Sequence, residues 1–225
     1  MNIQNFTQFI LGSFIALFPI VDPIGNVPTF LVLTTGHSTQ FRHQLARKTT
    51  QYTVLFLSLF LLIGGVILRF FGISLEVVRI AGGIVVFHTA WQMMNARPRL
   101  TARENHAAVE KSEHDEDISF IPMTIPLLAG PGAIAVTLSL SAQAGDTLSI
   151  TTVVNFIAVM LAIFLLGGVI YLCLRASSWL LIWLGETGIR AFSRILGFFI
   201  MAVGVQLILN GIADWLKHIK IISNA

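Results

Sequence analysis

The chain has 225 residues, of which 55% are hydrophobic and only 11% charged, and its mean hydropathy is +0.82. Soluble domains carry about 25% charged residues, so this composition points to an integral membrane protein. It excludes intrinsic disorder, which needs low hydrophobicity, and a net charge of +3 scattered along the sequence argues against a nucleic-acid binder despite an isoelectric point near 9.4.

Crossing a hydrocarbon layer about 30 Å thick takes about 20 apolar residues in a helix, and six stretches qualify. The first runs from Phe6 to Leu33. No basic leader or small-residue cleavage site accompanies it, so it is expected to stay in the mature protein. Pro19, Pro23, Gly25 and Pro28 interrupt it. Proline lacks the amide donor and clashes with the preceding turn, so the segment is predicted to be a broken helix. The second stretch, Thr49 to Phe71, reads as a plain span, and the third, Val77 to Met94, carries His88 and Gln92. Asn95 to Asp117 is the only strongly polar stretch, with an acidic run from Glu110 to Asp117, and reads as a solvated, flexible loop. The fourth stretch, Ile118 to Ser141, is again broken, by Pro122, Pro126, Gly130, Pro131 and Gly132. The fifth, Thr152 to Leu174, is plain and contains the single cysteine, Cys173, which behaves there as a small hydrophobe. Ser177 to Leu184, with Trp179 and Trp183, suits the membrane interface. The sixth stretch runs from Ile189 to Ile212.

Lys and Arg set the orientation. Ten lie in the connections after spans one, three and five and four on the other side. The positive-inside bias therefore places both termini outside and the 95–117 segment in the cytoplasm.

The halves resemble each other. Phe60-Leu61-Leu62-Ile63-Gly64-Gly65 recurs about 104 positions later as Phe164-Leu165-Leu166-Gly167-Gly168, and Arg79-Ile80-Ala81-Gly82 recurs as Arg194-Ile195-Leu196-Gly197. Pro19 and Pro23 answer to Pro126 and Pro131. A three-helix unit has an odd number of crossings, so its second copy enters from the opposite face. The predicted fold is all-α: a polytopic membrane protein with six transmembrane helices, as two inverted three-helix repeats (1–94 and 118–225) with broken first and fourth helices.

In inverted-repeat carriers the substrate site lies near the midplane, where broken helices meet. The two breaks here, Asp22-Pro23-Ile24-Gly25-Asn26 and Gly130-Pro131-Gly132, are the candidate substrate site. Asp22 is an ionisable group about 16 positions into an apolar span, which costs at least ~2.5 kcal/mol. Two roles stand open for it: coupling to a proton or sodium ion or pairing with a substrate amine, and capping the half-helix that opens at Pro23. Asn26 offers a donor and an acceptor to a zwitterion, or satisfies local backbone. His88 reads as a packing residue, Gln92 and Gln206 as cross-helix hydrogen-bonding groups, and Arg79 and Arg194 as side chains that snorkel to opposite interfaces. His106, His114 and the neighbouring carboxylates fit no zinc spacing, so no metal site is expected. No nucleophile elbow, P-loop or dinucleotide fingerprint occurs, so neither an enzyme nor a cofactor is expected.

Four ordered motifs carry a family resemblance: Asp22-Pro23-x-Gly25-Asn26-x-Pro28, Arg79-Ile80-Ala81-Gly82-Gly83, Ile125-Pro126-Leu127-x-Ala129-Gly130-Pro131-Gly132 and Arg194-Ile195-x-Gly197. Over nearly its whole length the chain resembles the MarC family of bacterial inner-membrane proteins. The resemblance implies a six-helix protein of the plasma membrane and carries no catalytic residues over. Some members of that family are classed as transporters of small neutral amino acids. The expected function is secondary transport of small neutral or zwitterionic solutes. The alternative is a non-transporting scaffold or envelope-stress component that binds a partner through its 95–117 loop.

Overall fold

A computed structural model describes residues 3–95, 100, 102–113, 117–145 and 149–223. Arg97 and Arg99 and the His114-Asp115-Glu116 part of the acidic run lie outside the described residues. Among the described residues every regular element is a helix: α1 (Ile3–Val21), α2 (Val27–Leu33), α3 (Thr39–Phe70), α4 (Leu75–Met94), α5 (Ala102–Glu113), α6 (Ser119–Leu128), α7 (Pro131–Ala144), α8 (Ile150–Arg175) and α9 (Ser177–Ser223).

Four of these helices are long and apolar enough to cross a membrane: α3, α4, α8 and α9 as far as Lys217. The α6–α7 pair, bent by 68°, makes a fifth if counted as one span. The segment read as a first span divides into α1, whose apolar part is Phe6–Val21, and the seven-residue α2. Pro23 and Gly25 end the first helix before it reaches spanning length.

The helices are apolar on their outer faces as well as inside. On α3 the buried positions Leu45, Thr49, Thr53, Leu57, Leu61, Gly64 and Leu68 form one narrow stripe, while Leu55, Leu59, Leu62 and Val66 are exposed. In water such faces would aggregate; a bilayer solvates them. Helices of the first half pack chiefly on helices of the second. α1 lies against α7 and α8, α3 against α6, α7 and α8, and α4 against α7 and, along its length, α9.

The α4–α9 contact depends on glycines at heptad spacing on α9. A Cβ on Gly204 would stand 2.8 Å from the Phe87 amide nitrogen and 2.9 Å from the Gly83 carbonyl oxygen, so the backbones meet directly there. At one end of this contact Arg79 pairs with Asp214, which Lys217 also reaches at 3.2 Å. Arg79 therefore does more than snorkel: an acid one helix away takes its charge.

Two other sequence expectations differ from the structure. Within the 95–117 segment, Ala102–Glu113 is a helix, α5, packed on α2 through the buried Ala108. Its alanines, glutamates, Arg103 and Lys111 favour a helix, and the density of charge disguised it as a loop. Gln92 and Gln206 bond within their own helices, Gln92 to His88 at 2.8 Å and Gln206 to Asn210 at 2.8 Å, rather than across helices. Four-residue spacing makes such partners adjacent. His88 itself is exposed. The Ser177–Leu184 piece is the first arm of α9, set off by a kink at Gly185 (φ 66°), and its exposed Trp179 and Trp183 stack with ring centroids 5.7 Å apart.

Candidate functional site

The first break follows from Asp22-Pro23. Proline disfavours the right-handed helical region for the residue before it, and Asp22 takes up the left-handed region at φ 48°, which a short polar side chain tolerates better than most. α1 therefore stops at Val21, and the chain turns through Asp22–Asn26 before α2 begins with Pro28 in its first turn. A buried helix end must satisfy its carbonyls and the turn its amides. Asp22 Oδ1 accepts the Gly25 amide at 3.0 Å. Asn26 Nδ2 donates to the carbonyls of Val21 (3.1 Å) and Asp22 (2.9 Å). Both side chains are buried, and both knit the break together, which is the local role that stood open for each.

Gly25 completes this turn. A methyl group there would overlap both Asp22 Oδ2 and Ser193 Oγ, so the turn, the carboxylate and α9 meet at one point. The Ser193 hydroxyl is buried and has no hydrogen-bond partner among the described residues. Sequence reasoning missed Ser193; the only signal was its position directly before Arg194-Ile195-x-Gly197.

The second break lies between α6 and α7. α6 is a distorted helix with extended backbone at Ile121 and Ile125, the residues before its two prolines. Ala129 and Gly130 then carry the chain into α7, which starts at Pro131, where its fixed φ and missing amide suit a first helical position. Gly130 accepts no side chain, because a Cβ would lie 2.5 Å from the Pro126 carbonyl oxygen. α7 is held at its other end by Ser141 Oγ, which donates to the Leu61 carbonyl at 2.7 Å, and by Asn155 Nδ2, which donates to the Ala144 carbonyl at 3.1 Å.

The two breaks adjoin. A Cβ on Gly132 would stand 3.3 Å from Ile20 Cγ2 and 3.5 Å from Thr89 Oγ1. Around this contact lies a cavity of ≈ 120 Å³ lined by Ile20, Thr89, Gln92, Pro126, Leu127 and the Gly130–Ala133 turn. Gly130, Pro131 and Gly132 thus line it, whereas Asp22, Pro23, Gly25 and Asn26 do not. The first-break residues support the wall from behind, beside α9. The lining carries no ionisable group; its polar side chains are Thr89 and Gln92 of α4, with the first amides of α7, which have no intrahelical partner. A second cavity of ≈ 240 Å³ continues along the α1–α7 seam, with Gln8, Ser13, Ser139 and Gln143 in its wall. No group of three or more metal-ligating side chains occurs among the described residues.

Residues 7–216 match the family described as MarC family integral membrane protein. A membrane protein of Bacillus subtilis, YvbG, is 34% identical over 205 residues, covering 91% of this chain and 94% of its own. A membrane protein of Methanocaldococcus jannaschii is 36% identical over 205 residues, covering 91% and 96%. The inner membrane protein MarC of Escherichia coli is 31% identical over 208 residues, covering 90% and 93%. No solved structure matches. The chain belongs to the MarC family.

Proposed function

We propose that this MarC-family membrane protein is a secondary transporter of small neutral or zwitterionic solutes, neutral amino acids foremost, passing them through the cavity where its two helix breaks meet. The observation that carries this reading is that cavity. Discontinuous helices are tolerated in a membrane where the freed backbone is buried or lines a cavity, and carriers place their substrates at such points. Its ≈ 120 Å³ is well under the about 300–1,000 Å³ of drug-sized ligand sites, which favours a solute of a few heavy atoms. An uncharged wall with Thr89, Gln92 and the α7 N-terminus suits a substrate that carries no net charge and offers a carboxylate to the helix dipole. The larger cavity on the same seam supplies an approach, and Asp22 is the candidate coupling group behind the wall.

Six spans in two inverted repeats are part of this proposal. Support comes from the packing, in which α1 lies on α8 as α6 and α7 lie on α3, and α3 meets α8 as α4 meets α9. Val27 and Pro131, which open the helices after the breaks, are 104 positions apart, the same displacement that relates Phe60 to Phe164. An inner-membrane location, with both termini outside and α5 in the cytoplasm, follows from the excess of Lys and Arg in the connections after spans one, three and five and from the inner-membrane relative.

Proteoliposomes containing the purified protein test the reading with labelled alanine, glycine and serine. Uptake or release that is lost in Asp22→Asn and Asn26→Ala, with both variants still folded, is the expected result. Undiminished flux in both variants would remove the first break from the site.

A further inference from the structure

Away from the break site, α8 carries a notch. Met160, Phe164, Gly168 and Tyr171 recur at helical spacing and share one stripe, and Gly167 and Gly168 leave a gap between the two aromatic rings. Facing them on α3 are Val54, Leu55 and Ser58, and the two stripes line a groove of ≈ 510 Å³. The groove covers 11 positions of α8 from Met160 to Tyr171, about 16 Å at 1.5 Å per residue. That is about the depth of one leaflet of a 30 Å hydrocarbon core.

Both stripes end in arginine at the same end of the groove. Arg47 stands one turn before Gln51 on α3, and Arg175 one turn after Tyr171 on α8; both are exposed. The two helices run in opposite directions, since Arg42 near the start of α3 reaches Ser178 Oγ, just past the end of α8, at 3.5 Å. Arg175 lies along the Tyr171 ring, its Cζ 5.7 Å from the centroid and its Nη1 donating to the hydroxyl at 3.0 Å. This fixes one guanidinium at the mouth while leaving its other donors available.

We propose that the α3–α8 groove is a binding site for one phospholipid with an anionic headgroup, an acyl chain seated over Gly168 and the phosphate held between Arg47 and Arg175. An apolar slot one leaflet deep matches an acyl chain, and paired guanidinium groups match a phosphate. A second copy of the chain fits less well, because a two-fold contact here would bring four arginines together at the rim. The site is independent of the transport reading.

The test is a thermal unfolding titration of the full-length protein in neutral detergent with phosphatidylglycerol, phosphatidylcholine and glycerol phosphate. Two kinds of variant accompany it. Gly168→Leu fills the notch at a position where a Cβ meets nothing within 4 Å, so it should fold. Arg47→Gln and Arg175→Gln remove the charges. Phosphatidylglycerol should raise the wild-type midpoint saturably, Gly168→Leu should abolish that response, and each arginine variant should weaken the affinity about fivefold. Equal responses to both lipids, a response that survives Gly168→Leu, an equal effect of glycerol phosphate alone, or a dimer that Gly168→Leu disperses would each overturn the proposal.

Discussion

Ile20, two residues before the first helix break, packs against Gly132, two residues past the second, with its Cγ2 3.3 Å from the place a Cβ on Gly132 would take. This contact makes the two breaks neighbours and sets the size of the cavity beside them. It also separates substitutions that fill the cavity from those that damage the fold.

Gly132→Ala should leave the protein folded, because Ile20 and Thr89 meet the new methyl with side-chain atoms that can shift by a few tenths of an ångström. Gly130→Ala should not, because its methyl meets the Pro126 carbonyl, which is backbone. Overpacking of this kind costs about 1–3 kcal/mol. Unfolding midpoints of the two variants in the same detergent check the contrast: Gly130→Ala clearly lowered, Gly132→Ala close to wild type.

Gly25→Ala should destabilise the first break by a similar 1–3 kcal/mol, since the methyl overlaps Asp22 Oδ2 and Ser193 Oγ. Combining it with Ser193→Gly removes one of the two obstacles and should recover part of the loss, whereas independent sites would add. A double-mutant cycle on the unfolding midpoint measures this coupling.

Asn26→Ala removes two hydrogen bonds to buried carbonyls. Leaving buried acceptors unsatisfied costs about 1–3 kcal/mol each. Asn26→Asp should be no better, because a carboxylate cannot donate to either carbonyl. Equal stability of both variants with wild type would show that the break does not depend on this side chain.

Asp117, just before α6, provides the pH dependence. Burial pushes its carboxyl up, but hydrogen bonds from Lys48 at 2.7 Å and from the Ser119 side chain and amide, with the Lys48 charge, hold it below its ordinary value. Its contribution is therefore complete above the unfolded value of about 3.9 and is lost as pH falls through the lower folded value. Solvent screens the exposed pair with Lys48, so the effect is at most about 1 kcal/mol. Unfolding midpoints from pH 6 to pH 2 should show this loss in wild type and not in Asp117→Asn.

The breaks were legible in the sequence because proline and glycine act locally: Asp22-Pro23 and Gly130-Pro131 stop a helix whatever surrounds them. The local bonding of Asn26 could be foreseen as one of two roles for the same reason. Ser193 at the Gly25 turn and Asp214 beside Arg79 could not, because each contact joins residues more than a hundred positions apart and depends on how α9 packs. Gln92 was visible as a polar residue in an apolar helix, but its place in the cavity wall depends on the angle between α4 and α7. The helix α5 was hidden by the reverse effect, since its charge count suggested a loop while its residue types favour a helix.

The central claim is that solute passes through the cavity between the breaks, and the initial rate of labelled alanine uptake into proteoliposomes tests it most directly, wild type against Gln92→Leu. Leucine keeps much of the bulk and removes a polar group from the wall. The account predicts wild-type flux that falls at least about tenfold in the variant, equivalent to ~1.4 kcal/mol in the transport barrier, with the unfolding midpoint little changed. No flux through the wild type, or equal flux through both proteins, would contradict it.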